Sequence, residues 1–353
     1  MRISVLPVVS GLIIGVIASL LMYLGNPGNM GFCGACFLRD ISGALGLHRA
    51  AIVQYLRPEI IGLVLGAFAS ALLFKEFRPR GGSSPLMRFF LGMFATIGAL
   101  VFLGCPWRAW IRLGSGDLTA IAGLLGLFTG VFVAIQFLKR GYSLGRSRSV
   151  SKFEGLLMPI FMAVLLFFLL TKFSFAENGA IFFSQKGPGS MHASVAISLG
   201  AGLIIGVLIQ RSRFCTIAAF RDTVLFRDTH LLQGVLALFV GVLVTNLVLG
   251  QINVGFVNQP VAHNDAVWNF LGMMLSGMAF ALAGGCPGRQ LTLSSEGDAD
   301  AGVFIFGMIV GAAVAHNFSL ASSGAGIGAY GAHATIIGLI FCLVLGFCAR
   351  VKE

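Results

Sequence analysis

The chain has 353 residues, of which 57% are hydrophobic and 10% charged, with a formal net charge of +11. Soluble globular chains carry about 25% charged residues, so this composition excludes a soluble enzyme, a disordered chain or a nucleic-acid-binding domain as the bulk of the protein. Phe (32) outnumbers Trp (3) and Tyr (4), which suits a lipid-exposed helical bundle better than a barrel with aromatic girdles.

Apolar runs able to cross about 30 Å of hydrocarbon occur ten times, at 5–25, 50–74, 86–104, 118–138, 155–172, 193–210, 231–250, 267–284, 301–318 and 333–349. The first follows Arg2 and exceeds the roughly 7–15 residues of a signal-peptide core, so it reads as a retained span. Lys and Arg collect in alternate loops: Lys75, Arg78, Arg80 and Arg88; Lys139, Arg140, Arg146, Arg148 and Lys152; Arg211, Arg213, Arg221 and Arg227; and Arg350 with Lys352. Segments 251–266 and 319–332 carry neither. With ten spans this pattern puts both termini in the cytoplasm. Arg39, Arg49, Arg108 and Arg112 fall on the outer side and oppose the scheme unless they point into the protein.

An internal repeat runs through the chain. Gly104-Cys105-Pro106-Trp107-Arg108 returns as Gly285-Cys286-Pro287-Gly288-Arg289, and Leu91-Gly92-Met93 as Leu271-Gly272-Met273. Gly116-Asp117 matches Gly297-Asp298, Phe32-Cys33 matches Phe214-Cys215, Arg39-Asp40 matches Arg221-Asp222, and His48 matches His230. The matches divide the chain into a first half (1–140), a linker with span five (141–190), a second half (191–318) and a last span within 319–353. Four spans per half, joined by a fifth, insert the second half upside down. The expected fold is an all-α polytopic membrane protein of about ten spans, built as two inverted-topology repeats. In such proteins sites lie near the midplane at the repeat interface.

Residues 26–47, 105–116, 211–229 and 286–297 are too rich in Gly, Cys, Arg and Asp for membrane spans. They read as short or re-entrant helices, which survive at membrane depth only where buried in protein or lining a cavity. Inverted topology brings Cys33 and Cys105 in from outside and Cys215 and Cys286 from inside. A thiol is a weak donor and a soft acceptor, suited to a substrate presenting sulfur or selenium. Arg108 and Arg289, with the short helices' N-termini, favour an anion. Arg39-Asp40 and Arg221-Asp222 serve either the substrate or the pinning of a re-entrant turn. Cys33-Gly34-Ala35-Cys36 is a CxxC and a possible redox pair, whereas Ala218 stands opposite Cys36 and no second CxxC completes a zinc set. The seven cysteines, an odd number, leave at least one thiol free unless a bond forms between chains. The paired glycines Gly11/Gly15, Gly62/Gly66, Gly126/Gly130, Gly202/Gly206 and Gly307/Gly311 read as close helix packing. No Walker A motif is present.

The block Gln210-Arg-Ser-Arg-Phe-Cys215-Thr-Ile-Ala-Ala-Phe220-Arg-Asp222, with Gly284-Gly285-Cys286 and Gly104-Cys105, resembles the YeeE/YedE family of sulfur-compound (thiosulfate) transporters. The stretches Gly25-Asn-Pro-Gly-Asn-Met-Gly-Phe-Cys33 and Arg78-Pro-Arg-Gly-Gly82 are most similar to its YedE branch, associated with selenium metabolism. The resemblance implies an hourglass-shaped bacterial inner-membrane protein that passes its anion along cysteines, here Cys105, Cys215 and Cys286. The chain departs from the thiosulfate pattern in Pro-x-Arg after both Gly-Cys motifs and in Cys33 and Cys36. The expected substrate is therefore a small inorganic sulfur or selenium anion, without choosing between them. The expected site is Cys33, Cys105, Cys215, Cys286, Arg108, Arg289, Arg39 and Arg221, with Cys36 as the redox candidate. No catalytic residue, metal or cofactor is expected. Lipid, and a cytoplasmic sulfur- or selenium-carrier protein, are the other expected partners, and nucleic acid is not one. Two alternatives are a membrane-embedded thiol redox or persulfide carrier and a generic small-anion channel.

Overall fold

A computed structural model describes residues 5–171 and 181–350. Arg2 and Lys352 lie outside these residues, as does part of the linker expected at 141–190. The described chain is helical apart from one two-residue ribbon: α1 (Val5–Tyr23), α2 (Gly34–Ala44), α3 (Pro58–Leu73), β1 (Arg80–Gly81), α4 (Pro85–Phe102), α5 (Pro106–Gly114), α6 (Ala120–Lys139), β2 (Arg148–Ser149), α7 (Lys152–Leu170), α8 (Val195–Ser212), α9 (Thr216–Phe226), α10 (His230–Val248), α11 (Ala266–Ala283), α12 (Pro287–Ser295), α13 (Ala299–Asn317) and α14 (Gly331–Cys348). Among the described residues, nine helical segments are long and apolar enough to cross a membrane. The protein is an all-α polytopic membrane protein.

One expected span is shorter than the sequence indicated. The apolar run 50–74 becomes helical only at Pro58, so α3 has 16 residues and a length of about 24 Å at 1.5 Å per residue. Proline at the first helical position is pre-organised for a helix start. The residues before it form a buried loop, tied down where Gln54 Nε2 donates to Gly43 and His48 carbonyls (3.3 and 3.2 Å) and Tyr55 N donates to Asp40 O (3.1 Å).

The order long, short, long, long, short, long runs from α1 to α6 and again from α8 to α13. Helix α1 packs on α10 and α3 on α8; α6 packs on α11 and α4 on α13; α4 and α11 meet each other. The close approaches fall where small residues repeat. A Cβ placed on Gly11, Gly15, Gly62, Gly66, Gly126, Gly130, Gly202, Gly206, Gly307 or Gly311 would come closer than 3.0 Å to the backbone of the facing helix. Without a hydrophobic drive between lipid-solvated helices, such close contact supplies the association energy.

Two loops complete the frame. Leu118 N and Gly255 O, and Gly255 N and Gly116 O, bond at 3.0 Å, so segment 251–266 caps the α5–α6 turn. On the arginine-rich side Arg78 N bonds Glu296 O (2.8 Å) and Arg80 N bonds Gly297 O (3.0 Å), so loop 74–84 caps the α12–α13 turn.

Gly206→Val should therefore lower the thermal stability of the detergent-solubilised protein by an amount equivalent to about 1–3 kcal/mol. Gly200→Ala, where an added Cβ meets nothing within 4 Å, should be neutral or slightly stabilising. Equal melting temperatures for the two variants would contradict the packing.

Candidate functional site

Four of the seven cysteines are N-caps of the four short helices: Cys33 of α2, Cys105 of α5, Cys215 of α9 and Cys286 of α12. An N-cap is extended and offers an acceptor to the first turn. Cys33 Sγ accepts from Cys36 N (3.3 Å) and Cys215 Sγ from Ala218 N (3.4 Å). Proline follows Cys105 and Cys286 at the first helical position, the favoured place for it.

The structure brings these cysteines together in two pairs. Cys33 and Cys105 lie side by side, with the backbone of Arg108 and of Ala35 next to the Cys105 sulfur. Cys215 and Cys286 lie side by side likewise; Cys286 N donates to Cys215 Sγ (3.3 Å), and the backbone of Arg289 and Thr216 is next to the Cys286 sulfur. Each pair is thus a meeting of two helix N-termini with cysteine at the N-cap.

The pairs abut across an aromatic seal. Trp107 lies 5.7 Å from Phe32 and 5.8 Å from Phe214 by ring centroid, and Phe32 and Phe214 each immediately precede a paired cysteine. Gly288, the repeat counterpart of Trp107, receives the indole: a Cβ there would lie 2.7 Å from Trp107 Cζ2. Gly34 in turn meets Pro287. All four thiols are at most 2% exposed, so the route between the pairs is closed. Two polar groups at the seal are unspent, because buried Trp107 Nε1 and Thr216 Oγ1 have no hydrogen-bond partner among the described residues.

The arginines divide. Arg39, Arg108 and Arg112 are buried, as an outer-side arginine must be to fit the loop-charge scheme, while Arg49 is exposed and stacks its guanidinium 4.4 Å over Phe182. Arg112 is neutralised by Asp117 (2.7 Å). Arg39 and Arg57 share Asp40, each at 2.7 Å. Arg108 pairs with no carboxylate among the described residues. Its three bonds go to neutral acceptors: Nε to Asn29 O (2.7 Å), Nη1 to Cys36 Sγ (3.2 Å) and Nη2 to Val261 O (2.9 Å). Cys36 thus touches both Cys33 and the guanidinium. In the second half Arg289 bonds Glu296 (3.0 Å), and Arg221 is held by Asp222 (2.8 Å). All seven thiols are free. Among the described residues no three His, Cys, Asp or Glu side chains group closely enough to hold a metal ion.

Beyond Arg108, segment 251–266 roofs the first pair. Val261 has φ +50°, a left-handed conformation that is a marked outlier for a β-branched residue, and its carbonyl is the one Arg108 holds. A cavity of about 200 Å³ lies in this segment, lined by Asn258, Gln259, His263 and Asn264 among others. Burial pushes the His263 imidazole below its ordinary value.

Sequence reasoning missed Arg57, Glu59, Asn29 and Glu296. Glu59 is buried, accepting from Asn26 (2.8 Å) and Ser198 (3.2 Å). Pro58 was the available signal for a helix start beside two charges. Glu296 was visible as the one charge difference between Ser115-Gly116-Asp117 and Glu296-Gly297-Asp298.

Residues 211–340, from Arg211 through α9 to α13 and into α14, match the model of a family described as sulphur transport. The chain is also similar to the thiosulfate transporter TsuA of Spirochaeta thermophila, 35% identical over 85 residues. That similarity spans 24% of this chain and a quarter (25%) of the relative.

Two outcomes test the site. In the folded protein a small maleimide should modify Cys348, the exposed thiol, well ahead of the six buried ones, which react slowly until the protein is denatured, as counted by intact mass. Glu76, in the loop after α3, is the second probe. Partial burial would raise its carboxyl, but Gln210, Arg213 and Arg211 together hold it below its ordinary value. A depressed folded value contributes stability that is complete above the unfolded value and is lost as pH falls through the folded one. Glu76→Gln should therefore melt lower than the unaltered protein at pH 7, and the gap should close below about pH 4.

Proposed function

We propose that this protein is a transporter, not an enzyme, that imports a small sulfur- or selenium-containing anion across a bacterial inner membrane. The observation that carries this reading is the convergence of four helix N-termini, each with cysteine at its N-cap position, in two abutting pairs beside a buried Arg108 with no carboxylate partner among the described residues. Helix N-termini and an uncompensated guanidinium attract an anion. Thiols, weak in both directions, let it leave again, as conduction requires.

In this reading residues 1–140 and 191–318 are inverted repeats, 141–190 joins them, and 319–353 adds a peripheral span. The four short helices are re-entrant, dipping from opposite faces so that the seal marks the neck of an hourglass. Both termini lie in the cytoplasm. The anion meets Cys33 and Cys105 first, drawn by Arg108, then passes Trp107 to Cys286 and Cys215. Arg39 and Arg221 hold their aspartates and act on the substrate through the local charge. The sulphur-transport match and the likeness to a thiosulfate transporter support sulfur as the substrate element. The additional Cys33 and Cys36 support a selenium anion as the competitor to test, with delivery to a cytoplasmic carrier protein.

Proteoliposome uptake of labelled thiosulfate and selenite, with chloride as control, tests this. Cys105→Ala, Cys215→Ala and Cys286→Ala should abolish uptake while the protein stays folded. Arg108→Gln should lower uptake tenfold or more, since bonds to a charged group are worth about 1.5–3 kcal/mol. Undiminished uptake by Cys286→Ala would sink the relay. The CxxC favours one other reading, a thiol redox carrier. Cys36→Ser, which still offers Arg108 an acceptor, should keep most uptake if the protein transports and lose all function if Cys36 is a redox partner.

A further inference from the structure

Glu296 breaks the likeness between the halves. It follows α12 where Ser115 follows α5, with Asp298 and Asp117 matching two residues later. Ser115 is spent locally, donating to Ile111 O (2.8 Å) and accepting from Asn246 (2.9 Å). The Glu296 side chain is only 5% exposed and faces three guanidinium groups: Arg213 at 2.5 Å, Arg289 at 3.0 Å and Arg80 at 4.0 Å.

These arginines come from three separate pieces of the structure. Arg213 ends α8 in a left-handed conformation (φ +58°) and lies two residues before Cys215. Arg289 stands one turn into α12 from Cys286. Arg80 belongs to loop 74–84 and also holds Asp298 (2.9 Å). One carboxylate therefore ties together the two strands of chain that bear the Cys215–Cys286 pair and clamps the loop over them. Their parting would open that pair toward the arginine-rich side.

A carboxylate and a small oxyanion offer the guanidinium fork the same planar pair of acceptor oxygens. Chloride offers a single point of charge and no second acceptor. We propose that Arg213, Arg289 and Arg80 form a second anion site, which Glu296 fills as a tethered surrogate in the unloaded protein and yields to the transported oxyanion. The proposal rests on the transport reading and gives it an exit gate. An anion that displaces Glu296 breaks the tie between the Cys215 and Cys286 segments and opens its own way out. One that cannot take the forks leaves the gate shut. Arg108 has no such surrogate, so the first pair stands ready to receive while the second stands latched.

Glu296→Gln keeps the side chain's shape and removes its charge. Two measurements follow, neither of which needs transport. In the substrate-free protein, labelling of Cys215 by a charged thiol reagent applied from the arginine-rich side should speed up roughly tenfold. Arg213→Gln, which also releases Glu76 (2.7 Å), should do the same and carries the test if the first variant misfolds. Unchanged labelling in the folded variants overturns the latch. Thiosulfate titrated against thermal unfolding probes the site itself. Its half-effective concentration should fall roughly tenfold in Glu296→Gln, and the gain should vanish when Arg289→Gln is added. Equal titrations for the variant and the unaltered protein overturn the anion site. Faster labelling in a protein that takes up neither thiosulfate nor selenite would leave the latch standing and refute the transport reading alone.

Discussion

A helix that ends inside a membrane protein leaves N–H groups that lipid cannot satisfy, and here cysteine stands at the N-cap of α2, α5, α9 and α12, its sulfur accepting from the first turn at Cys33 and Cys215. Serine or aspartate would cap more strongly. A strong cap would also hold its donors against any competitor. Sulfur accepts weakly, so the N–H groups held by Cys33 and Cys215 at the starts of α2 and α9 are satisfied by an acceptor that is easily displaced. The rest of the architecture serves to bring those starts together. Glycine-bearing faces on α1, α3, α6, α8 and α13 let the long helices approach backbone to backbone, which leaves the centre narrow enough for two crossed pairs and one indole.

The two halves share this frame and differ in three places around the paired cysteines. Trp107 fills the space that Gly288 leaves, so a single ring closes a centre that two tryptophans could not fit. Leu103 and Gly284 occupy matched left-handed helix ends, φ +62° and +96°. Leucine bears steric cost there and glycine does not. The charge asymmetry is larger: Arg108 faces neutral acceptors, and Arg289 faces Glu296. Buried charges persist where they are paired or where they act. Asp40 and Asp117 account for the pairing of Arg39, Arg57 and Arg112, and Arg108 is the one of these four with no carboxylate among the described residues.

The repeat was legible because cysteine, proline and arginine recur in one frame, and identity at such residues is hard to mistake. Chain order alone then indicates which segments correspond. It does not indicate which side chains meet. Arg57 and Glu59 sit in a run whose average hydropathy hides them, and only Pro58 betrays that the helix starts late. That Arg108 is held by Asn29 and Val261, residues 79 and 153 positions away, depends on a loop folding back over the first pair. Neither periodicity nor composition reports such a contact. Arg39 and Arg221 looked equally poised for substrate or structure. Their aspartates hold them at 2.7 and 2.8 Å, so each guanidinium already has a carboxylate against it.

The buried arginines also bear on how an anion could move without becoming trapped. A site of uncompensated positive charge in low dielectric binds an anion tightly, which aids capture and opposes release. Release requires a following site where the anion meets competition. Glu296 supplies such competition on the side of the Cys215–Cys286 pair, where its carboxylate already occupies the forks of Arg213 and Arg289. On the proposed route an anion arriving there would gain less than at Arg108, because it would have to displace a partner of its own charge. The two ends thus differ in charge compensation: Arg108 has no carboxylate partner among the described residues, whereas Arg213 and Arg289 are self-neutralised by Glu296.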